Sequence, residues 1–182
     1  MTPEEIAAAV RDGLPAEVAC EPDHRGVLLH VPPEHWLAAV TIARDRLDCA
    51  FFDWLTGVDE QPAGFAVVVH LYSLTGRHHV LARTVLAGPA PVLATVTGVY
   101  RGAAWHERET AEMFGVQFEG HPYPAPLLLP AGFEGHPLRK DFALAARAAL
   151  VWPGAKEPGE REVPRTGRRM DPPGVPEGWQ PP

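Results

Sequence analysis

The chain has 182 residues, 46% of them apolar and 21% charged, with 16 basic side chains against 23 acidic ones and a net charge of −7. That length favours one domain, or one domain with a tail, and the acidic balance argues against a nucleic-acid binder, which carries a basic footprint. Cys20 and Cys49 are too few and too far apart for a structural zinc or an iron–sulfur cluster, no stretch reaches the ~18 apolar residues of a membrane span, and Met1 opens no signal or transit peptide.

The N-terminus predicts a short helix. Thr2 is its cap, Pro3 its first residue, Glu5 completes a capping box, and Ile6, Val10 and Leu14 keep helical spacing up to a stop at Gly13. Residues 16–20 and 26–31 predict two short strands around the acidic turn Glu21-Pro-Asp-His24. A second helix is expected from about Pro33 to Arg46, with Trp36, Val40, Ala43 and Leu47 on its buried stripe. Residues 65–74 are too rich in β-branched and aromatic side chains for a helix, and apolar groups on both faces predict an inner strand. Thr75-Gly-Arg-His78 makes the turn and residues 79–86 return as its partner. These elements predict an α+β fold: a mixed or antiparallel sheet, with a hairpin, flanked by helices.

Pro89 and Pro91 end the strand, and a weakly periodic stretch leads to Gly102. A compact helix is expected over Ala103–Phe114, closed by Gly115 in the left-handed conformation. Residues 116–142 read as a long ordered loop holding an internal echo, Phe118-Glu-Gly-His-Pro122 and Phe133-Glu-Gly-His-Pro137. An irregular run of that length inside a domain tends to be functional. Residues 151–182 balance their charges and hold eight of the 21 prolines. They read as a tail, either disordered or an extended arm laid along a partner. The expected organisation is an α+β domain at 1–115, a motif-bearing loop packed on that domain and a partner at 116–152, and a proline-rich tail at 153–182.

For chemistry, the sequence contains no G-x-G-x-x-G, no P-loop and no G-x-S-x-G elbow. Cys49 reads as a buried thiol rather than a nucleophile. The densest polar cluster is Trp105-His-Glu-Arg-Glu109 with Glu112. Arg108 and Glu112 are placed to pair, and Glu109 and Glu112 to share a face with His106. A di-metal centre on such a helix needs a second one like it. A stand-alone metal-dependent enzyme built on His106, Glu109, His121 and His136 is the alternative reading. If the loop folds back on the helix, Arg139 or Lys140 is expected to meet Glu107 or Glu109. The His-Pro steps force extended backbone at His121 and His136, which describes a stiff, shaped loop suited to recognition.

The run Glu107-Arg-Glu-Thr-Ala-Glu-Met-Phe-Gly115, then Gly120-His-Pro122, then Gly132-Phe-Glu-Gly-His-Pro-Leu-Arg-Lys-Asp-Phe142 resembles the signature of the C subunit of bacterial NADH:quinone oxidoreductase. This is the 30-kilodalton subunit of respiratory complex I. Phe52-Asp-Trp-Leu-Thr-Gly-Val-Asp59 and Val67–Leu74 are similar to the same family more loosely. The resemblance implies a non-catalytic scaffold of the hydrophilic arm, peripheral to the membrane at its cytoplasmic face, packed on subunits D and B. It implies no cofactor or metal in this chain, the iron–sulfur clusters, FMN and quinone lying in partner subunits. The implied structural and interface residues are Glu107, Arg108, Glu109, Phe114 and Gly115; His121 and Pro122; Phe133, Glu134, Gly135, His136 and Pro137; and Arg139, Lys140, Asp141 and Phe142. Glu107, Arg108 and Glu109 would fix the helix against the loop; Arg139, Lys140 and Asp141 would order the loop or meet the partner. Where family members have paired arginines between the two Gly-His-Pro units, this chain has Tyr123-Pro-Ala-Pro-Leu-Leu-Leu-Pro-Ala131. That departure implies that an ionic link to the partner is missing or replaced by apolar packing, in a divergent member or the equivalent subunit of a membrane-bound hydrogenase or reduced dehydrogenase complex.

Overall fold

A computed structural model of the chain describes residues 2–14, 18–23 and 26–142. The expectations for 143–182, including the tail, lie outside the described residues. Met1–Lys140 forms one compact unit; of the second, Asp141–Pro182, only Asp141 and Phe142 are described.

Helix α1, Pro3–Arg11, begins on the expected capping box: the Glu5 amide donates to Thr2 Oγ1 at 3.3 Å and the Thr2 amide donates to Glu5 Oε2 at 2.8 Å. It stops at an Asp12 cap in right-handed conformation, one residue before Gly13. Strands β1, Ala19–Asp23, and β2, Gly26–His30, pair antiparallel. Glu21, Pro22 and Asp23, expected in the turn, are strand residues instead; β1 is an edge, where a proline costs no ladder bond. A short 3₁₀ turn, Pro33–His35, leads into α2, Trp36–Asp45, whose Trp36, Val40 and Ala43 are buried together with Leu47 just beyond it.

Strands β4, Phe65–Ser73, and β5, His78–Leu86, form the expected hairpin. One strand escaped the sequence reading: β3, Phe51–Asp59, pairs antiparallel with β4 and makes β4 an inner strand. The sheet order is β1-β2-β5-β4-β3, with β2 and β5 parallel and every other pair antiparallel. Ile6 and Val10 of α1 and the α2 stripe share a core with Val27, Leu29, Val67, Val69, Leu71, Val80 and Ala82 of the sheet.

The stretch after Gly88 holds a second missed strand, β6, Val92–Ala94. It pairs in parallel with a third missed strand inside the expected 116–142 loop, β7, Gln117–Glu119, and α3, Ala103–Phe114, is the crossover between them. Helix α3 lies along β3. At Gly57 an added Cβ would stand 2.6 Å from the Phe114 ring, so only a bare backbone lets the helix come this close. His106 Nδ1 lies 3.1 Å from the Leu55 carbonyl oxygen, occupying a group on the free edge of β3.

Candidate functional site: a strap clamped onto helix α3

A helix leaves its last four carbonyls without intrahelical partners. On α3 every one is met. Gly115, left-handed at φ 75°, donates its amide to the Ala111 carbonyl at 2.8 Å. His136 Nδ1 lies 2.8 Å from the Glu112 carbonyl, the Leu138 amide donates to Met113 at 3.3 Å, and Arg139 Nε donates to Phe114 at 2.6 Å. The Gly-His-Pro-Leu-Arg segment is therefore a C-terminal cap built from a distant loop. The Arg139 cation also sits at the negative end of the helix dipole, and its guanidinium stacks 4.7 Å from the Phe65 ring centroid.

The echo is explained by the same helix. Gly120 and Gly135 both hold positive φ, 82° and 89°, and each aims the following histidine at an α3 carbonyl. His121 Nε2 lies 3.1 Å from the Ala104 oxygen in the first turn, while His136 serves Glu112 near the last. The Tyr123 amide donates to His121 Nδ1 at 3.0 Å, which assigns the proton to Nε2. Two copies of one pentapeptide thus clamp a helix at points about 12 Å apart.

Between the clamps, residues 122–135 run along the outer side of α3 as a strap. Arg108 donates from Nε to the Ala125 carbonyl and from Nη2 to that of Pro126, both at 2.7 Å. Glu112 accepts the amides of Leu127, Leu128 and Leu129 at 3.2, 2.8 and 2.9 Å. Desolvation pushes the Glu112 carboxyl up, but those three amides and the nearby Arg108 charge outweigh it and hold it below the usual carboxylate range. At the far end the Lys140 amide donates to Asp59 Oδ2 at 2.7 Å, tying the strap to the end of β3. Desolvation raises Asp59, yet the Lys140 and Gln61 amides and the charges of Lys140 and Arg139 bring its carboxyl down as well.

Glu107 works on the opposite side. It is completely buried, accepts the Thr95 hydroxyl at 2.5 Å and the Val96 amide at 2.7 Å, and lies 3.9 Å from His121 Nε2. It pins the segment after β6 under the helix. Burial raises its pKa against the lowering effects of Thr95, Val96 and His121.

This geometry corrects the expected ion pairing. The loop does fold back on the helix, but Arg139 and Lys140 meet neither Glu107 nor Glu109: Arg139 takes a carbonyl, Lys140 uses its amide, and Glu109 is exposed. The reason is angular, because Glu107 shares its buried stripe with Ala103 and Thr110 whereas the strap crosses the Trp105, Arg108 and Glu112 side. Nor do His106 and Glu112 share a face, since six residues along a helix turn them about 120° apart. Arg108 and Glu112 bond to strap backbone instead of to each other. The three histidines of the metal reading point at three separate carbonyls, and among the described residues no group of three or more histidine, cysteine or carboxylate side chains is arranged to hold a metal ion. Cys49 is buried, and desolvation pushes its thiol up to about 12.

Of the other candidate residues, Phe114 is buried against Gly57, Phe133 borders a cleft under the strap, and Glu134 and Asp141 are exposed. Pro122 and Pro137 follow the clamp histidines. Three contributors were missed: Glu112 as an anchor, Asp59 and Thr95. The first had a signal. Prolines at 122, 124, 126 and 130 keep this stretch out of a regular helix or ladder, so the consecutive amides of 127–129 need an acceptor from another element. Asp59 and Thr95 meet their partners through tertiary folding, without a local pattern.

Residues 29–148 match the family described as respiratory-chain NADH dehydrogenase, 30 Kd subunit. The chain is 37% identical over 147 residues to the NADH-quinone oxidoreductase C subunit of Roseiflexus castenholzii, covering 78% of this chain and 84% of that protein. It is 43% identical over 121 residues to the corresponding C subunit of Mesorhizobium japonicum, covering 64% and 59% respectively. Among solved structures it is similar to a trypsin-resistant fragment of Nqo5, with TM-score 0.56 and 26% identity over 66% of this chain and 97% of that one. A chain of the membrane-bound sulfane sulfur reductase, an archaeal respiratory membrane complex, shares the fold at TM-score 0.70 and 24% identity, over 87% of this chain and 96% of that one.

Proposed function

This chain belongs to the 30 kDa subunit family of the respiratory-chain NADH dehydrogenases, the C subunit of complex I, and from that premise we propose that it is a non-catalytic scaffold of the hydrophilic arm. In this reading it braces the quinone-reducing subunit while partner subunits pass electrons from NADH to quinone and the complex translocates protons. Its neighbours are subunits D and B, the clusters, FMN and quinone belong to partners, and the chain lies at the cytoplasmic face of the membrane. No helix among the described residues is long and apolar enough to cross a membrane.

One observation carries the proposal. Arg108, Glu112, His121, His136 and Arg139 of the signature segments all bond to this chain's own backbone. Those bonds serve to hold a strap rigid on a helix, which is what a brace requires. The test is deletion of the chain from cells that make the whole complex. The proposal expects loss of the assembled complex from the membrane, and an isolated chain inert towards NADH and quinone and featureless in the visible spectrum. Full assembly without the chain, or its recovery as a free monomer from such cells, would contradict it.

A further inference from the structure

We infer that the cleft between the strap and α3 is a binding site for a small, uncharged, largely hydrocarbon molecule. The inference goes beyond the scaffold reading and does not rest on it.

The echoed pentapeptide points to this cleft. Its glycine, histidine and proline serve the two clamps, but clamping leaves the leading phenylalanine without a role. Phe118 and Phe133, the first residues of the two copies, both border a cleft of about 320 Å³. Phe118 is buried and Phe133 is 41% exposed, so one ring lies deep and the other toward solvent. Leu129, Pro126 and Pro130 of the strap and Ala111 of α3 complete the apolar walls. The strap is held off the helix along its length. His121 and His136 fix its ends, Arg108 takes the carbonyls of Ala125 and Pro126, and Glu112 takes the amides of Leu127, Leu128 and Leu129. A cleft framed this way is formed before a ligand arrives, which lowers the entropy cost of binding.

The polar groups on the walls select an uncharged occupant. Arg108 and Glu112 carry opposite charges four residues apart on one helix, and strap backbone engages both. Glu107 accepts from Thr95 on one oxygen and from Val96 on the other. His121 places its ring nitrogens against the Ala104 carbonyl and the Tyr123 amide, and His136 turns Nδ1 to the Glu112 carbonyl. Glu109 and Glu134 are exposed and do not border the cleft. A charged molecule would therefore shed hydration against walls whose ionic groups are already engaged, whereas an apolar one displaces solvent that such walls hold weakly and buries its surface.

Volume sets the size. The cleft lies at the lower end for small-molecule sites and is roughly twice the ~150 Å³ of an apolar cavity that takes up benzene. That fits a fused two-ring hydrocarbon or an aliphatic chain of about eight carbons. Ring and chain share the chemistry that matters here, an uncharged apolar body, and the experiment tells them apart.

The test titrates the full chain with naphthalene as ring probe and 1-octanol as chain probe, read by methyl NMR. Naphthalene-2-sulfonate and 2-naphthylmethylammonium present the same ring with either charge. The inference expects saturable one-to-one binding of at least one uncharged probe, with a Kd of about 0.1 mM or below. Nuclear Overhauser contacts should run from that probe to the methyls of Ala111 and Leu129, and amide exchange at Leu127–Leu129 should slow about threefold or more at saturation. Both charged analogues should bind the cleft about tenfold more weakly than the tighter uncharged probe. Phe133→Ala should weaken binding about tenfold, while Leu74→Ala, in the exposed β4–β5 turn, should leave it within about twofold. If Phe133→Ala does not fold, the contacts and the charged analogues measured on the parent chain decide. Lack of saturation by both uncharged probes, contacts only to methyls outside the cleft, or a charged analogue bound as tightly as the uncharged probe overturns the inference. Each of those results leaves the scaffold reading standing, since that reading is tested by assembly.

Discussion

Glu112 and Glu107 sit five residues apart on one helix and respond to acid in opposite senses. Glu112 is held by three amides and its folded pKa lies below the ordinary 4.5. Its contribution is therefore present above that value and lost as pH falls through the folded pKa. Removing the charge with Glu112→Gln should cost about 1–2 kcal/mol at neutral pH, discounted for its partial exposure, with the deficit shrinking on acidification. Glu107 is buried and its folded pKa lies above 4.5. Stability from that source is fully present below 4.5 and lost as pH rises through the folded pKa. Glu107→Gln should thus gain on the parent as pH rises, the reverse slope. Urea unfolding of the three proteins between about pH 4 and 8 reads both slopes; slopes of the same sign would refute the assignment. Arg139→Ala removes the Phe114 cap, the charge at the helix end and the stack on Phe65, and should cost about 2 kcal/mol, with Arg139→Lys recovering only the charge.

At the scale of elements, the turn after α3 is the point on which the strap depends. An alanine at Gly115 would be strained at φ 75° and would bring Cβ within 2.4 Å of Arg139 Nη2 and 2.6 Å of His136 Nε2, displacing two of the four caps at once. Gly115→Ala should lose about 2–3 kcal/mol and speed hydrogen exchange at Leu127–Leu129 and Leu138; unchanged exchange there would mean the strap holds without its cap. The three helices and the β4–β5 hairpin were legible in the sequence because their signals are local: a capping box, a 3.6-residue stripe, β-branched runs, a glycine stop. Strand β3 was not, since Phe51–Asp59 carries Asp53, Gly57 and Asp59, residues that disfavour strands, and its glycine exists to admit Phe114. Strands β6 and β7 are three residues each, and their partners lie 25 positions apart. The site was legible as a motif but not in its wiring. Sequence placed the charges near one another, while unpaired helix carbonyls and loop amides, which every residue type carries, decided which of them met.

Across the whole molecule, two acidic anchors, two Gly-His-Pro clamps and one arginine cap make α3 and residues 117–140 continuous with the sheet. Under the scaffold role proposed above, the signature residues influence the enzyme through how much of it is built. The direct measurement is quinone turnover by membranes carrying Glu112→Gln, Arg139→Ala or Gly115→Ala, divided by the amount of complex assembled in each. A brace predicts that assembly falls while turnover per assembled complex stays within about twofold of the parent. Normal assembly accompanied by a turnover loss of about tenfold or more would place these residues in the chemistry, and contradict the account.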